Sequence, residues 1–180
     1  MVTPAAAAGG GAQRLPAYAE LHCRSNFTFL TGASHPEELV TRAHGLGYTA
    51  LAITDECSLA GVVRAHGQAK RLGLHLIVGA EMRLALGGVG GGLASAAGGG
   101  RAGSAAGGGA CGPRLVLLAQ SRRGYGNLAQ WVTVARRRAG KGSYTALASD
   151  VEGRVPHAPY LAGLPDCFAL MVVDPALPFE

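Results

Sequence analysis

His22, Asp55, Glu56 and Glu81 are the residues whose types and spacing suit metal-assisted chemistry. Each follows a short apolar run: Leu21-His22-Cys23-Arg24-Ser25-Asn26-Phe27, Thr54-Asp55-Glu56 and Gly79-Ala80-Glu81 all lie where a strand is expected to end. Imidazole and carboxylate ligands gathered at neighbouring strand ends suit Zn²⁺, Mn²⁺ or iron. A metal held there lowers the pKa of bound water and polarises a phosphoryl oxygen. Taken singly, each residue has a plainer reading. A carboxylate after a strand more often caps the next helix, and Asp55 can do so; a lone histidine such as His22 is more often packed or hydrogen-bonded. The coincidence at successive strand ends is what favours a shared site. Arg24 works against it, because a guanidinium offers only donors, stays charged and cannot ligate a cation.

The elements that would position these residues read as alternating strand and helix. Tyr18 to His22 is a short strand. Ser34-His35-Pro36-Glu37 has the form of a capping box, with Pro36 in the first turn. Leu39, Val40, Ala43 and Leu46 then recur at helical spacing, and Gly47 can end that helix. Ala50 to Thr54 is a continuous apolar run, as expected for a parallel strand covered on both faces. Ser58 is expected to cap a helix ending at Lys70-Arg71-Leu72-Gly73. Leu74 to Ala80 and Leu115 to Ala119 are further strands, Asn127 to Arg138 a helix, and Cys167 to Val173 a last strand. This alternation predicts parallel strands with right-handed crossovers, and ligands gather at the carboxyl ends of such strands.

Composition sets the bounds. The 180 residues suffice for one domain with a core, and 16 Lys and Arg against 11 Asp and Glu give a net charge of +5. Arg122, Arg123, Arg136, Arg137, Arg138 and Lys141 concentrate that charge. Such a run reads first as a solvated helix face, and the balance permits a polyanionic partner without demanding one. Cys23, Cys57, Cys111 and Cys167 form no Cys-x-x-Cys pair, which favours reduced thiols. No apolar run is long enough for a membrane span, and Met1 to Gly11 has no basic region of a signal peptide. Residues 1–16 are expected to be a disordered tail and residues 87–113 a low-complexity insert of Gly, Ala and Ser that cannot bury enough apolar surface to offset its ordering entropy. Residues 17–86 and 114–180 would be the two parts of the domain it interrupts. Gly124-x-Gly-x-x-Ala129 mimics a dinucleotide fingerprint, but Gln120 to Arg123 separate it from the strand, and the start of a helix explains it as well. There is no Gly-x-Ser-x-Gly elbow for a serine hydrolase. Trp131 is expected to pack its helix onto the sheet.

The stretch Tyr18-Ala-Glu-Leu-His-Cys-Arg-Ser-Asn-Phe-Thr-Phe-Leu-Thr-Gly-Ala-Ser34 resembles the first motif of the PHP (polymerase and histidinol phosphatase) domain. Leu51-Ala-Ile-Thr-Asp-Glu-Cys-Ser-Leu-Ala-Gly-Val-Val-Arg-Ala-His66 is similar to its second motif, and Gly73-Leu-His-Leu-Ile-Val-Gly-Ala-Glu81 to the segment that supplies a carboxylate ligand. Gly124-Tyr-Gly-Asn-Leu128 and Lys141-Gly-Ser-Tyr144 resemble the version found in bacterial C-family DNA polymerases, and Ser34-His-Pro-Glu-Glu38 and Thr54-Asp-Glu-Cys-Ser-Leu-Ala-Gly61 look closest to the error-prone, translesion branch. The resemblance implies a partial PHP-type (β/α) barrel of parallel strands. It matches His22 to the first histidine of the family's His-x-His, puts Arg24 in the second histidine's place, and matches Asp55 and Glu81 to acidic ligands. Glu56 stands where other members have histidine. The metal site so implied, for Zn²⁺ or Mn²⁺, is degenerate, and Arg24 is expected to pair with Asp55, Glu56 or Glu81. For the parent protein the resemblance implies error-prone DNA polymerisation with Mg²⁺ in the cytoplasm, in damage-induced mutagenesis. The expected partners are DNA, reached through the parent polymerase, and other mutasome or replication proteins, with no membrane. The chain lacks palm-domain carboxylates and is expected to be a fragment. The alternatives are a stand-alone PHP-type metal-dependent phosphoesterase and a metal-free structural PHP module.

Overall fold

A computed structural model describes residues 17–85, 112–152 and 163–172. The expected tail and all but the last two residues of the expected insert lie outside these ranges. The elements run β1 (Ala19–Cys23), α1 (Pro36–Gly45), β2 (Ala50–Ile53), α2 (Val62–Leu72), β3 (His75–Arg83), β4 (Arg114–Ala119), α3 (Arg122–Arg137), α4 (Ala148–Val151) and β5 (Cys167–Val172). The strands form one five-stranded sheet in the order β1-β2-β3-β4-β5. It is a mixed α/β arrangement whose curled sheet makes part of a barrel, as expected.

Strand direction departs from expectation halfway across. β1, β2 and β3 are parallel, whereas β4 runs antiparallel to β3 and β5 antiparallel to β4. The first two connections each carry one crossover helix, which enforces parallel pairing. β3 and β4 are joined through residues 84–113, with no helix among the described ones, so no crossover is imposed. Between β4 and β5 the chain passes through α3 and α4, and alternation alone does not set direction there.

Side chains alternate across the strands, so register fixes the two faces. Leu51, Ile53, Ala80, Met82, Leu115 and Leu117 share one face, and all three long helices pack there. Val40 and Ala43 of α1 and Ala65 and Ala69 of α2 cover β2; Leu128, Trp131 and Ala135 of α3 cover β3 and β4. The opposite face carries Ala52, Ile77, Val116 and Leu118, together with Glu81.

Helix ends shift from their expected positions by local chemistry. α1 is capped at His35, whose amide donates to Glu38 Oε2 at 2.8 Å, so the box sits one residue later than Ser34-Glu37. Ser58 does not cap α2, which starts after Gly61; its Oγ instead accepts the Ala60 amide at 3.2 Å. α3 begins at Arg122, earlier than the apolar periodicity indicated, because Ser121 Oγ accepts the Gly124 amide at 3.2 Å. Gly124 is therefore a first-turn helical residue. A Cβ there would lie 2.0 Å from the Asp166 carbonyl oxygen, so its glycine serves close backbone approach, not a phosphate loop. Trp131 packs α3 onto the sheet as expected and also donates its indole N–H to Asp150 Oδ2 at 2.9 Å. Arg138 completes that buried carboxylate with two bonds, at 2.5 and 2.8 Å. Burial alone would raise the Asp150 pKa, but the Arg138 fork, the Leu147 amide and the Trp131 indole outweigh it and hold it below the usual range.

Candidate functional site

β1 and β3 bring His22 and Glu81 together on the face opposite the three long helices. His22 Nε2 lies 2.5 Å from Glu81 Oε2, and Arg24 Nε lies 3.4 Å from the same oxygen. Glu81 is buried, with its side chain 1% exposed, while His22 and Arg24 are partly open to solvent. Burial by itself pushes the Glu81 pKa up. The hydrogen bond from His22 and the nearby charges of Arg24 and Arg114 reverse that and hold it low. Arg24 thus takes one of its expected partners, Glu81.

Asp55 is buried beside this pair but faces another way. Its Oδ1 accepts the Ser25 amide and the Thr28 hydroxyl, and its Oδ2 accepts the Ser25 hydroxyl, all at 2.7 Å. Thr28 Oγ1 in turn accepts the Glu56 amide at 3.0 Å. Asp55 therefore pins the loop that leaves β1, and the loop's hydroxyls position the backbone that leaves β2. The same loop closes tightly: a Cβ on Gly32 would lie 1.8 Å from the Ser25 carbonyl oxygen.

Glu56 faces a different element. Tyr144 donates its hydroxyl to Glu56 Oε1 at 2.7 Å and accepts the Arg83 amide at 2.9 Å. Burial and the Glu56 carboxylate push the Tyr144 pKa far above its ordinary value, so the phenol stays protonated. Cys57 follows with φ +45°, in the left-handed region. Its carbonyl accepts Arg136 Nε at 3.0 Å and Nη2 at 2.8 Å, and its amide donates to the Glu81 carbonyl at 2.8 Å. Burial pushes the Cys57 thiol up to about 11, and burial does the same to Cys23.

Of the four candidate ligands, the structure joins His22 to Glu81 through their side chains. It places Asp55 and Glu56 beside them through backbone bonds, with side chains turned to Ser25, Thr28 and Tyr144. Among the described residues, no group of three or more His, Cys, Asp or Glu is placed to hold a metal ion. Sequence reasoning missed Ser25, Thr28, Tyr144 and Arg136 as partners. Ser25 and Thr28 carried the one readable signal: short hydroxyls directly after a strand suit side-chain-to-backbone loops. The open depression between α1 and α2, lined by Glu37, Arg42, Gln68 and Arg71 among others, shares no residue with this cluster. Among the described residues, no helix is long and apolar enough to cross a membrane.

The chain is 50% identical over 166 residues to the error-prone DNA polymerase of Bordetella parapertussis, covering 92% of the chain and 14% of that protein. The error-prone DNA polymerases of Ralstonia nicotianae, at 49% over 160 residues, and of Dechloromonas aromatica, at 51% over 158, are each covered to 13% of their length. The chain thus spans about one seventh of these relatives. Among solved structures, an amidohydrolase from Chromobacterium violaceum with bound sulfate and no metal aligns with a TM-score of 0.45 at 22% identity, over 66% of this chain and 33% of that one. The PHP domain family matches residues 20–159, and it is to this family that the chain belongs.

Proposed function

We propose that this chain is the PHP portion of an error-prone DNA polymerase, acting as a structural module of that enzyme. The observation that carries the reading is the identity of about half, over some nine-tenths of the chain, to proteins named error-prone DNA polymerase. In this reading residues 17–86 and 114–180 belong to one PHP domain split by the Gly-rich insert. The parent enzyme, in the cytoplasm, would extend primers past damaged template bases with Mg²⁺ supplied elsewhere in the protein.

The strand-end residues do not fit a resident Zn²⁺ or Mn²⁺. The Arg24 guanidinium lies against Glu81, Asp55 accepts three hydrogen bonds, and Glu56 accepts the Tyr144 hydroxyl. A zinc site needs at least three protein ligands. The module's own chemistry is therefore cohesive: His22 and Arg24 join β1 to β3 through Glu81, Asp55 joins the β1 loop to the β2 loop, and Tyr144 joins the segment after α3 to both β2 and β3. This disfavours the stand-alone phosphoesterase.

Elemental analysis of the purified chain, with hydrolysis of a phosphodiester such as bis-p-nitrophenyl phosphate, tests the module reading. Metal well below one equivalent and no hydrolysis above background are expected; a full equivalent with metal-dependent turnover overturns it. Primer extension by the complete gene product on a template with an abasic site tests the polymerase reading. Extension past the lesion is expected, and no extension on any template overturns it.

A further inference from the structure

The outer face of α3 carries four arginines and no carboxylate. Successive residues of a helix turn by about 100°, so Arg122, Arg123, Arg136 and Arg137 fall on one stripe. The side opposite is the one that Leu128, Trp131 and Ala135 bury. The stripe between the two arginine pairs holds Gly126, Ala129, Gln130 and Thr133, and α3 contains no Asp or Glu at all. The space a Cβ would enter at Gly126 is open to 4 Å. Tyr125, 45% exposed, stands at the stripe's edge, and exposed Lys141 follows the helix end.

The basic run is not uniform, and its members divide by what they touch. Arg138 is bound to Asp150, and Arg136 to the Cys57 carbonyl. Arg123, its side chain 73% exposed, has a loose contact with Asp166 at 3.9 Å. Arg122, Arg137 and Lys141 have no partner among the described residues. The cations left over thus sit at the two ends of an uncharged stripe roughly 20 Å long.

We propose that this stripe docks on the phosphate backbone of DNA, with Arg122 and Arg123 at one end and Arg137 and Lys141 at the other. Guanidinium forks match phosphate oxygens bidentately. Gly126, Ala129 and Thr133 let a backbone approach the helix closely, and the Gln130 amide beside them can donate to a phosphate oxygen. An acidic protein partner fits less well, because protein interfaces draw their affinity from buried apolar anchors and the stripe offers only Tyr125. The inference deepens the polymerase reading and rests on it for the choice of DNA.

Fluorescence anisotropy with a labelled DNA duplex, across about 50 to 200 mM NaCl, tests the proposal. The 180-residue chain should bind with a log–log salt slope of about −3 to −4, as expected for about four phosphate contacts. Arg122→Gln with Arg137→Gln should weaken binding about tenfold at low salt and reduce the slope by about 2. Lys70→Gln with Arg71→Gln removes the same charge from exposed positions on α2 and should change the Kd less than about twofold. Circular dichroism checks that both variants fold. No salt-dependent binding by the wild type, an equal loss from the α2 pair, or displacement by polyglutamate as effective as by unlabelled DNA would each overturn the proposal. Primer extension by the complete wild-type gene product separates the two failures. If it extends primers while the α3 variant binds DNA unchanged, the surface is wrong and the polymerase reading stands. If it extends none, that reading falls whatever the stripe does.

Discussion

Asp150 and Asp55 are both fully buried carboxylates, yet they are satisfied by different chemistry. Asp150 meets a formal counter-charge, the two-pronged Arg138, plus the Trp131 indole and the Leu147 amide. Asp55 meets neutral donors, two hydroxyls and one amide. The difference extends to distance along the chain. Arg138 and Asp150 are 12 residues apart, whereas Ser25 and Asp55 are 30 apart and His22 and Glu81 are 59 apart. The α3–α4 corner neutralises its charge locally. The strand-end cluster divides the work: cations go to Glu81, dipoles to Asp55 and a phenol to Glu56. In the proposed reading, carboxylates whose partners are already protein groups hold loops together rather than await a ligand.

The comparison predicts a ranking. Asp150→Ala should have the largest effect, because it strands a partly buried guanidinium and a buried indole N–H; a loss of roughly 3–5 kcal/mol is expected, read from urea unfolding. A loss under about 1 kcal/mol would break the contrast. Asp55→Ala leaves three donors unpaired but no uncompensated charge, so a smaller loss of roughly 2–3 kcal/mol is expected. Faster amide exchange at Ser25 and Glu56 should accompany it, since Asp55 and Thr28 hold those two amides. The mildest effect is acid sensitivity. The folded pKa values of Asp150 and Glu81 lie below their ordinary values, so both contribute stability in full above the unfolded carboxylate range near 4. That contribution is lost as pH falls through the depressed folded values. Urea midpoints should therefore hold between about pH 7 and 5 and drop below about pH 4. The drop should be shallower in Asp150→Ala, which has one such group fewer.

How far the sequence discloses this arrangement depends on range. His22, Asp55 and Glu81 are legible because each ends an apolar run, a pattern set by near neighbours. Arg24 is legible as a misfit, since no guanidinium ligates a metal, and its pairing falls within the expected set. The reversed direction of β4, and with it the antiparallel pairing of β5, is not legible, because it depends on what joins the strands and alternation of elements does not record it. The Tyr144–Glu56 bond spans 88 residues, and nothing local to either residue signals it. The basic run is legible as charge, but its division into bound Arg136 and Arg138 and partnerless Arg122 and Arg137 needs the carbonyl of Cys57 and the carboxylate of Asp150 in place.

The conformation at Cys57 gives the molecule a built-in chemical reporter. Its thiol is buried and, with a pKa near 11, almost wholly protonated at neutral pH, so electrophiles that need a thiolate find little to attack. The residue's left-handed backbone is pinned by the Arg136 fork on its carbonyl. Alkylation of Cys57 is therefore expected to need local opening that exposes the buried thiol, so its labelling rate would report how often the loop beside Glu81 opens.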